Sequence, residues 1–174
     1  MATNNALNNV IYPYSFCFKK TVSVADCFGT EQEQLLMTYD EVVYDPYGAF
    51  SSGYAVMPIS GTWLYGASMK LDSNYTNATY LALKFRYNTD TTGSQYGMGD
   101  PNITGQKHKA TPLNFNTGSP AYGYRKVGYE IQPIWSGTST DSSHLFGIDA
   151  LDATFPVLFW GYCIAPDYDF LAFI

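Results

Sequence analysis

Few residues in this chain have side chains suited to nucleophilic, acid–base or metal chemistry. The histidines and cysteines are His108, His144, Cys17, Cys27 and Cys163. Ser143 and His144 are adjacent in a polar run that lacks the Gly-x-Ser-x-Gly turn of a catalytic serine. His-x-x-x-His and Cys-x-x-Cys spacings, which would favour zinc, are absent. We therefore expect a protein that is not an enzyme, with no catalytic residues, no metal and no other cofactor.

One metal alternative stays open. Asp141, Asp149 and Asp152 lie close together in sequence, and carboxylates with loop carbonyls are the oxygen ligands of calcium. The spacing of an EF-hand is absent, so solvated acidic side chains explain the same residues. A loop-bound calcium ion is thus the alternative to an expected absence of cofactors.

The chain has three cysteines, and an odd number excludes a full disulfide framework. Cys17 and Cys163 lie in alternating apolar runs, where free thiols behave as small buried apolar groups. A single bridge between Cys17 and Cys27 stays open.

The elements that position these residues are predicted to be strands. The chain has 174 residues, of which 46% are hydrophobic, 17% aromatic and only 14% charged. Aromatic residues favour pleated, half-buried strands, and 15 Gly with 9 Pro supply turns between short runs. We predict strands near residues 15–24, 35–44, 49–57, 62–71, 79–87, 113–115, 122–127, 129–135, 145–151 and 155–164.

This string of about ten short strands, without a helix long enough to cross over, is typical of an antiparallel jelly-roll sandwich. We predict one all-β domain over residues 1–174. It is preceded by a polar segment at 1–12 and ends in an apolar extension at 168–174. A long polar loop is expected at residues 88–112 and another at 136–143.

The net charge and the distribution of apolar residues exclude two classes of partner, nucleic acids and the membrane interior. The formal net charge is −6 and the basic residues are dispersed, so we expect no nucleic-acid partner, which would need a basic face. No apolar run approaches the about 20 residues of a membrane span, so no membrane insertion is expected. The first residues lack a secretion-signal pattern.

Four blocks of sequence resemble the globular head of complement C1q and, more broadly, the tumour necrosis factor-like jelly-roll superfamily. The blocks are YDEVVYDPYGAF at residues 39–50, YAVMPISGTWLY at 54–65, VGYEI at 127–131 and LFWGYCIAPD at 158–167. The resemblance implies a jelly roll that forms a homotrimer about a three-fold axis. It also implies specific positions: Trp63, Tyr65 and Trp160 in the core, and Leu64 and Phe159 at the trimer interface.

Two functions are compatible with these observations. The first is a non-catalytic, extracellular, trimeric C1q-like recognition module that binds a surface ligand, glycan or protein, through apical loops. Tyr96, His108 and Trp135 are the candidate ligand-binding residues, because aromatic and polar loop residues suit adaptable recognition. The alternative is a jelly-roll structural protein on the surface of a virus particle (a penton, spike or minor capsid protein) with neighbouring capsid proteins as partners.

Overall fold

The chain folds into strands and turns. The computed structural model of the protein describes residues 14–29, 33–72, 78–88, 96–98, 114–116, 121–139, 146–151 and 156–167. Within these ranges there is no helix, hence none long and apolar enough to cross a membrane. The described strands are β1 (Ser15–Lys20), β2 (Val24–Phe28), β3 (Glu33–Leu36), β4 (Glu41–Tyr44), β5 (Phe50–Ser51), β6 (Tyr54–Val56), β7 (Gly61–Lys70), β8 (Ala78–Tyr87), β9 (Tyr96–Met98), β10 (Asn114–Asn116), β11 (Ala121–Arg125), β12 (Glu130–Ser139), β13 (Phe146–Ile148) and β14 (Val157–Pro166).

These strands form two six-stranded antiparallel sheets and a two-stranded ribbon of β2 and β13. The first sheet has the order β4–β1–β14–β7, and β10 and β11 pair with successive parts of the other edge of β7. The second sheet has the order β5–β6–β12–β8–β9, with β3 also pairing with β12. The first and last strands are neighbours, and each sheet joins strands distant in sequence, as in a jelly roll. The predicted all-β jelly-roll sandwich is confirmed.

The core between the sheets is built mainly from aromatic rings. Trp63 and Tyr65 of β7 are fully buried there, on the inward face of the strand. The ring of Phe159 lies 5.1 Å from that of Phe16 in the first sheet and 6.3 Å from that of Phe85 in the second. Such ring pairs stabilise a core by about 0.5–1.5 kcal/mol each beyond the burial of their area. Phe159 therefore joins the two sheets at the centre of the sandwich.

Two predicted loops differ from the structure. β12 extends to Ser139, because its backbone stays paired with β8 from Ile131 to Ser139, so residues 136–139 of the predicted 136–143 loop are strand. The predicted loop at 88–112 contains β9, which pairs with residues 83–85 of β8. In both places the polar composition suggested a loop, whereas available backbone partners on β8 favoured a strand.

The two ends of the sandwich carry different connections. At the first end, Gly128 N donates to Met57 O at 2.9 Å and Asn88 N donates to Glu130 O at 2.9 Å. At the second end, Ser139 N donates to Gly29 O at 2.6 Å. Because β12 runs from Glu130 at the first end to Ser139 at the second, the two predicted loops leave β8 and β12 at opposite ends.

Candidate functional site

The outward face of the first sheet carries an array of large apolar side chains. Antiparallel pairing puts Tyr122 opposite Leu64 and Leu64 opposite Tyr162, which forms one row across three strands. In the adjacent row, Trp160 lies opposite Cys17 and Cys17 opposite Tyr44. We call this surface the outer aromatic face; its residues are Cys17, Tyr44, Leu64, Tyr122, Trp160 and Tyr162.

Much of this face is open to solvent in the single chain. Tyr122 is 75% exposed and Tyr44 is 53% exposed, whereas Leu64, Trp160 and Tyr162 are half-buried. The rings of Trp160 and Tyr162 lie nearly parallel, 6.0 Å apart with an interplanar angle of 15°. Successive aromatic side chains on one face of β14 thus provide a flat apolar surface, of the kind that marks association sites.

The charges near the outer aromatic face lie at its margins. At one margin Lys19 and Glu41 form an ion pair with a 3.7 Å separation of nitrogen and oxygen. At the other, the Tyr124 hydroxyl donates to a carboxylate oxygen of Asp167 at 2.5 Å, which raises the pKa of Tyr124. An uncharged aromatic centre with a polar margin is the usual composition of a protein–protein interface.

The faces of two neighbouring residues were predicted the wrong way round. Phe159, assigned to the trimer interface, is completely buried in the core, and Trp160, assigned to the core, is half-buried on the outer aromatic face. The parity of β14 explains this, because Val157, Phe159 and Gly161 point inward. A Cβ at position 161 would come within 2.6 Å of the Phe16 ring, so the inward side at this point of β14 is already filled.

Leu64 lies on the outer side of β7, opposite in parity to Trp63 and Tyr65. Its predicted contact with neighbouring copies stays a prediction. Two further members of the face, Tyr122 and Tyr162, were not singled out in the sequence. The Tyr-Gly-Tyr alternation of residues 122–124 was the available signal, because it places two tyrosines on one side of a strand.

The three predicted ligand-binding residues do not form one site. Trp135 is fully buried on the inner side of β12, so it cannot contact a surface ligand. The sequence placed it beside a loop, but β12 continues for four residues beyond it. The backbone of Tyr96 pairs with Phe85 in the second sheet, and His108 lies outside the described residues.

The described calcium candidate and the cysteines have contacts that explain them without a metal ion or a disulfide bond. Asp149, one of the three calcium candidates, holds Lys70 in an ion pair at 2.8 Å, while Asp141 and Asp152 lie outside the described residues. The cysteines are free thiols, without the bridge between Cys17 and Cys27 that the sequence left open. Burial raises the pKa of Cys17 and raises that of Cys163 to about 11, so both stay protonated at neutral pH.

The fold and the outer aromatic face together define a class, an antiparallel jelly-roll protein with an exposed aromatic sheet. No family model and no curated protein matches the chain. Among solved structures, the chain is similar to the structure of Eiger TNF from S. frugiperda, at 7% sequence identity and a TM-score of 0.49. The match covers 90% of this chain and 95% of that one. The jelly-roll assignment follows from the strand order, and no argument about function follows from the likeness.

Proposed function

We propose that this protein is a non-catalytic, homotrimeric recognition module whose copies associate through the outer aromatic face. One observation carries the proposal: the outer aromatic face, with an uncharged centre that includes Leu64, Tyr122 and Trp160, is partly exposed in the single chain. Fully burying one large apolar side chain contributes about 1.5–3 kcal/mol. Several such side chains on each of three copies would offset the entropy lost on association.

The resemblance of residues 39–167 to C1q heads supports three copies rather than two. It implies a three-fold axis beside the strands that are β7 and β14 in this fold. Those strands supply Leu64, Trp160 and Tyr162 to the outer aromatic face. A closed ring of copies also avoids open-ended assembly, because each apolar face is covered by its neighbours.

Ligand recognition is proposed for the first end of the sandwich. Hydrogen bonds join residues 57–60 to residues 127–129 there, including Val127 N to Ser60 Oγ at 2.9 Å, and Asn88 N donates to Glu130 O. Connections fixed on a rigid sandwich are the usual place for binding residues. The ligand would be a glycan or protein on a surface, and the module would act outside cells.

The test is the mass of the protein in solution. Sedimentation velocity should give three times the 19.4 kDa chain mass for the wild type. Leu64→Asp and Trp160→Asp should each dissociate the assembly, because each would bury a charge in an apolar contact. Leu151→Asp is the matched control, since Leu151 is an exposed leucine outside the outer aromatic face. A wild-type monomer at micromolar concentration, or intact trimers in both face variants, would contradict the proposal.

A second function, a structural protein at a virus surface, is favoured by another feature. β4 pairs only with β1 among the described strands, and its Val42 and Val43 are exposed. A recognition trimer needs one interface between copies, whereas a capsid protein needs further surfaces for neighbours, and an apolar edge strand is one. Co-purification with particles, together with no signal on a glycan array, would favour this function over the first.

A further inference from the structure

Arg125 lies at the first end of the sandwich in an unusual environment. It is the last residue of β11, and its side chain points inward between the two sheets. The guanidinium carbon lies 4.6 Å from the ring centroid of Tyr87, 5.5 Å from that of Tyr65 and 5.6 Å from that of Tyr129. Three aromatic walls therefore surround a half-buried cation.

The polar partners of this guanidinium are neutral. Nη2 donates to the Tyr65 hydroxyl at 2.5 Å, and Nη1 donates to the Tyr124 carbonyl at 2.7 Å. Burial and the neighbouring Tyr87 hydroxyl raise the pKa of Tyr65, so this phenol supplies no negative charge at neutral pH. Nε is buried and has no hydrogen-bond partner.

No described carboxylate forms an ion pair with Arg125; the ion pairs present use Lys19, Lys20 and Lys70. Aromatic faces stabilise a desolvated cation by about 2 kcal/mol, which replaces only part of its lost hydration. A guanidinium has five N–H donors in a planar fork that matches the geometry of an oxyanion. This arginine therefore keeps both charge and donors for a group that the described residues do not supply.

We propose that Arg125 anchors an oxyanion subsite, which takes the carboxylate or sulfate group of an acidic ligand at the first end. This inference rests on the proposed role in ligand recognition and names the ligand class, an acidic glycan or other oxyanion-bearing molecule. Arg125 is half-buried, so part of the residue is open to solvent at this end, and its Nη1 lies close to Gly123. The three tyrosine rings exclude water on the other sides and strengthen the charge-assisted hydrogen bonds.

The sequence makes a direct measurement practical, because Arg86 and Arg125 are its only arginines. Each gives one Nε–Hε signal in a nitrogen-15 NMR spectrum, and Arg86 is an internal reference. We expect sodium acetate and sodium sulfate, added at constant ionic strength against sodium chloride, to shift the Arg125 signal saturably and leave Arg86 unmoved. The anion with the higher affinity shows whether the subsite prefers a carboxylate or a sulfate group.

Two variants separate binding from folding. Arg125→Lys should abolish the saturable shifts of backbone amides 123–129, because an ammonium lacks the fork; Arg86→Lys, the matched control, should keep them. Gly123→Ala keeps the guanidinium but places a Cβ 2.9 Å from Nη1, so it should weaken binding in a folded protein.

The same titration in the Leu64→Asp variant tests the subsite without assembly, so failure of the trimer would not hide it. Unmoved Arg125 signals, or equal shifts at both arginines, would overturn the subsite.

Discussion

At the scale of single residues, a few polar contacts fix the turns between aromatic strands. Asp40, just before β4, accepts hydrogen bonds from Thr21 N at 2.8 Å, Thr21 Oγ1 at 2.6 Å and Lys20 Nζ at 3.1 Å. Asp45 likewise accepts from the backbone nitrogens of Ala49 and Phe50, both at 2.8 Å. The carboxylates at both ends of β4 therefore hold this edge strand and its following turn in place.

We predict that Asp40→Asn lowers stability and flattens its dependence on acid. Partial burial opposes ionisation of Asp40, but the hydrogen bonds from Thr21 and Lys20 outweigh it and lower the pKa of the carboxyl group. A depressed folded-state pKa stabilises the protein above the unfolded-state value of about 4, and this contribution is lost as pH falls through the folded-state pKa. At neutral pH the variant should lose about 1 kcal/mol, since the group is partly solvated.

Urea unfolding of the wild type and Asp40→Asn between neutral and acidic pH measures this contribution. The difference in unfolding free energy should shrink toward acid. Glu41→Gln is the control, because Glu41 has one long ion pair at the surface and should change stability little. A difference that stays constant with pH would show that the ionised carboxylate is not the source of the effect.

At the scale of elements, alternation revealed the faces of β7 but not those of β14. In β7, alternation placed Trp63 and Tyr65 on one face and Leu64 on the other, and the family resemblance then predicted that Trp63 and Tyr65 point inward, as they do. In β14, Leu158, Phe159 and Trp160 are all large and apolar, and a one-residue change in parity exchanges every face. The inward face of β14 is determined only by the strands around it, because Phe159 packs against rings from both sheets.

The fold class could thus be predicted from composition and alternation, and the inward face of β7 from alternation together with the family resemblance. The proposed recognition site could not, because it depends on which strand ends meet. Residues 57–60, 88 and 126–128 are far apart in sequence and are brought together only by the pairing of β12 with β6 and β8. Arg125 was an ordinary basic residue in the sequence, and its three tyrosine neighbours come from two strands and a turn.

The parity of β14 predicts different costs for two adjacent truncations. Phe159→Ala should destabilise the single chain by about 3–5 kcal/mol, because it leaves a cavity among the central rings. Trp160→Ala should cost far less, since its ring packs on the outside of the sheet. Both are measured by chemical denaturation in the Leu64→Asp background, which removes the contribution of assembly. Equal losses, or a larger loss for Trp160→Ala, would reverse the assignment of faces.

At the scale of the whole molecule, the outer aromatic face and the first end are different parts of the sandwich. The first sheet presents the outer aromatic face, whereas its opposite side shares the core with the second sheet. The proposed recognition end, where Arg125 directly precedes the turn at residues 126–128, would be formed within one chain. Association through the face and ligand binding at the end are therefore separable properties, and substitutions such as Leu64→Asp and Arg125→Lys should affect them independently.

The reactivity of the Cys17 thiol tests the proposed assembly independently of the mass of the particle. This thiol lies on the outer aromatic face between Trp160 and Tyr44 and is half-buried in the single chain. In a trimer built on that face, neighbouring copies would cover it, and alkylation by iodoacetamide should be slow. In the Leu64→Asp variant the same thiol should react about tenfold faster, as for a contact worth about 1.4 kcal/mol or more. Mass spectrometry of the Cys17 peptide gives both rates.

Cys163 is the internal reference in the same samples. It is buried in the core and its pKa is raised to about 11, so it should stay unmodified in every folded variant. Modification of Cys163 in Leu64→Asp would indicate unfolding instead of dissociation. Leu151→Asp should leave the Cys17 rate at the wild-type value, because Leu151 is exposed and is not part of the outer aromatic face. Equal Cys17 rates in the wild type and Leu64→Asp, with Cys163 protected in both, would mean that no other copy covers the face.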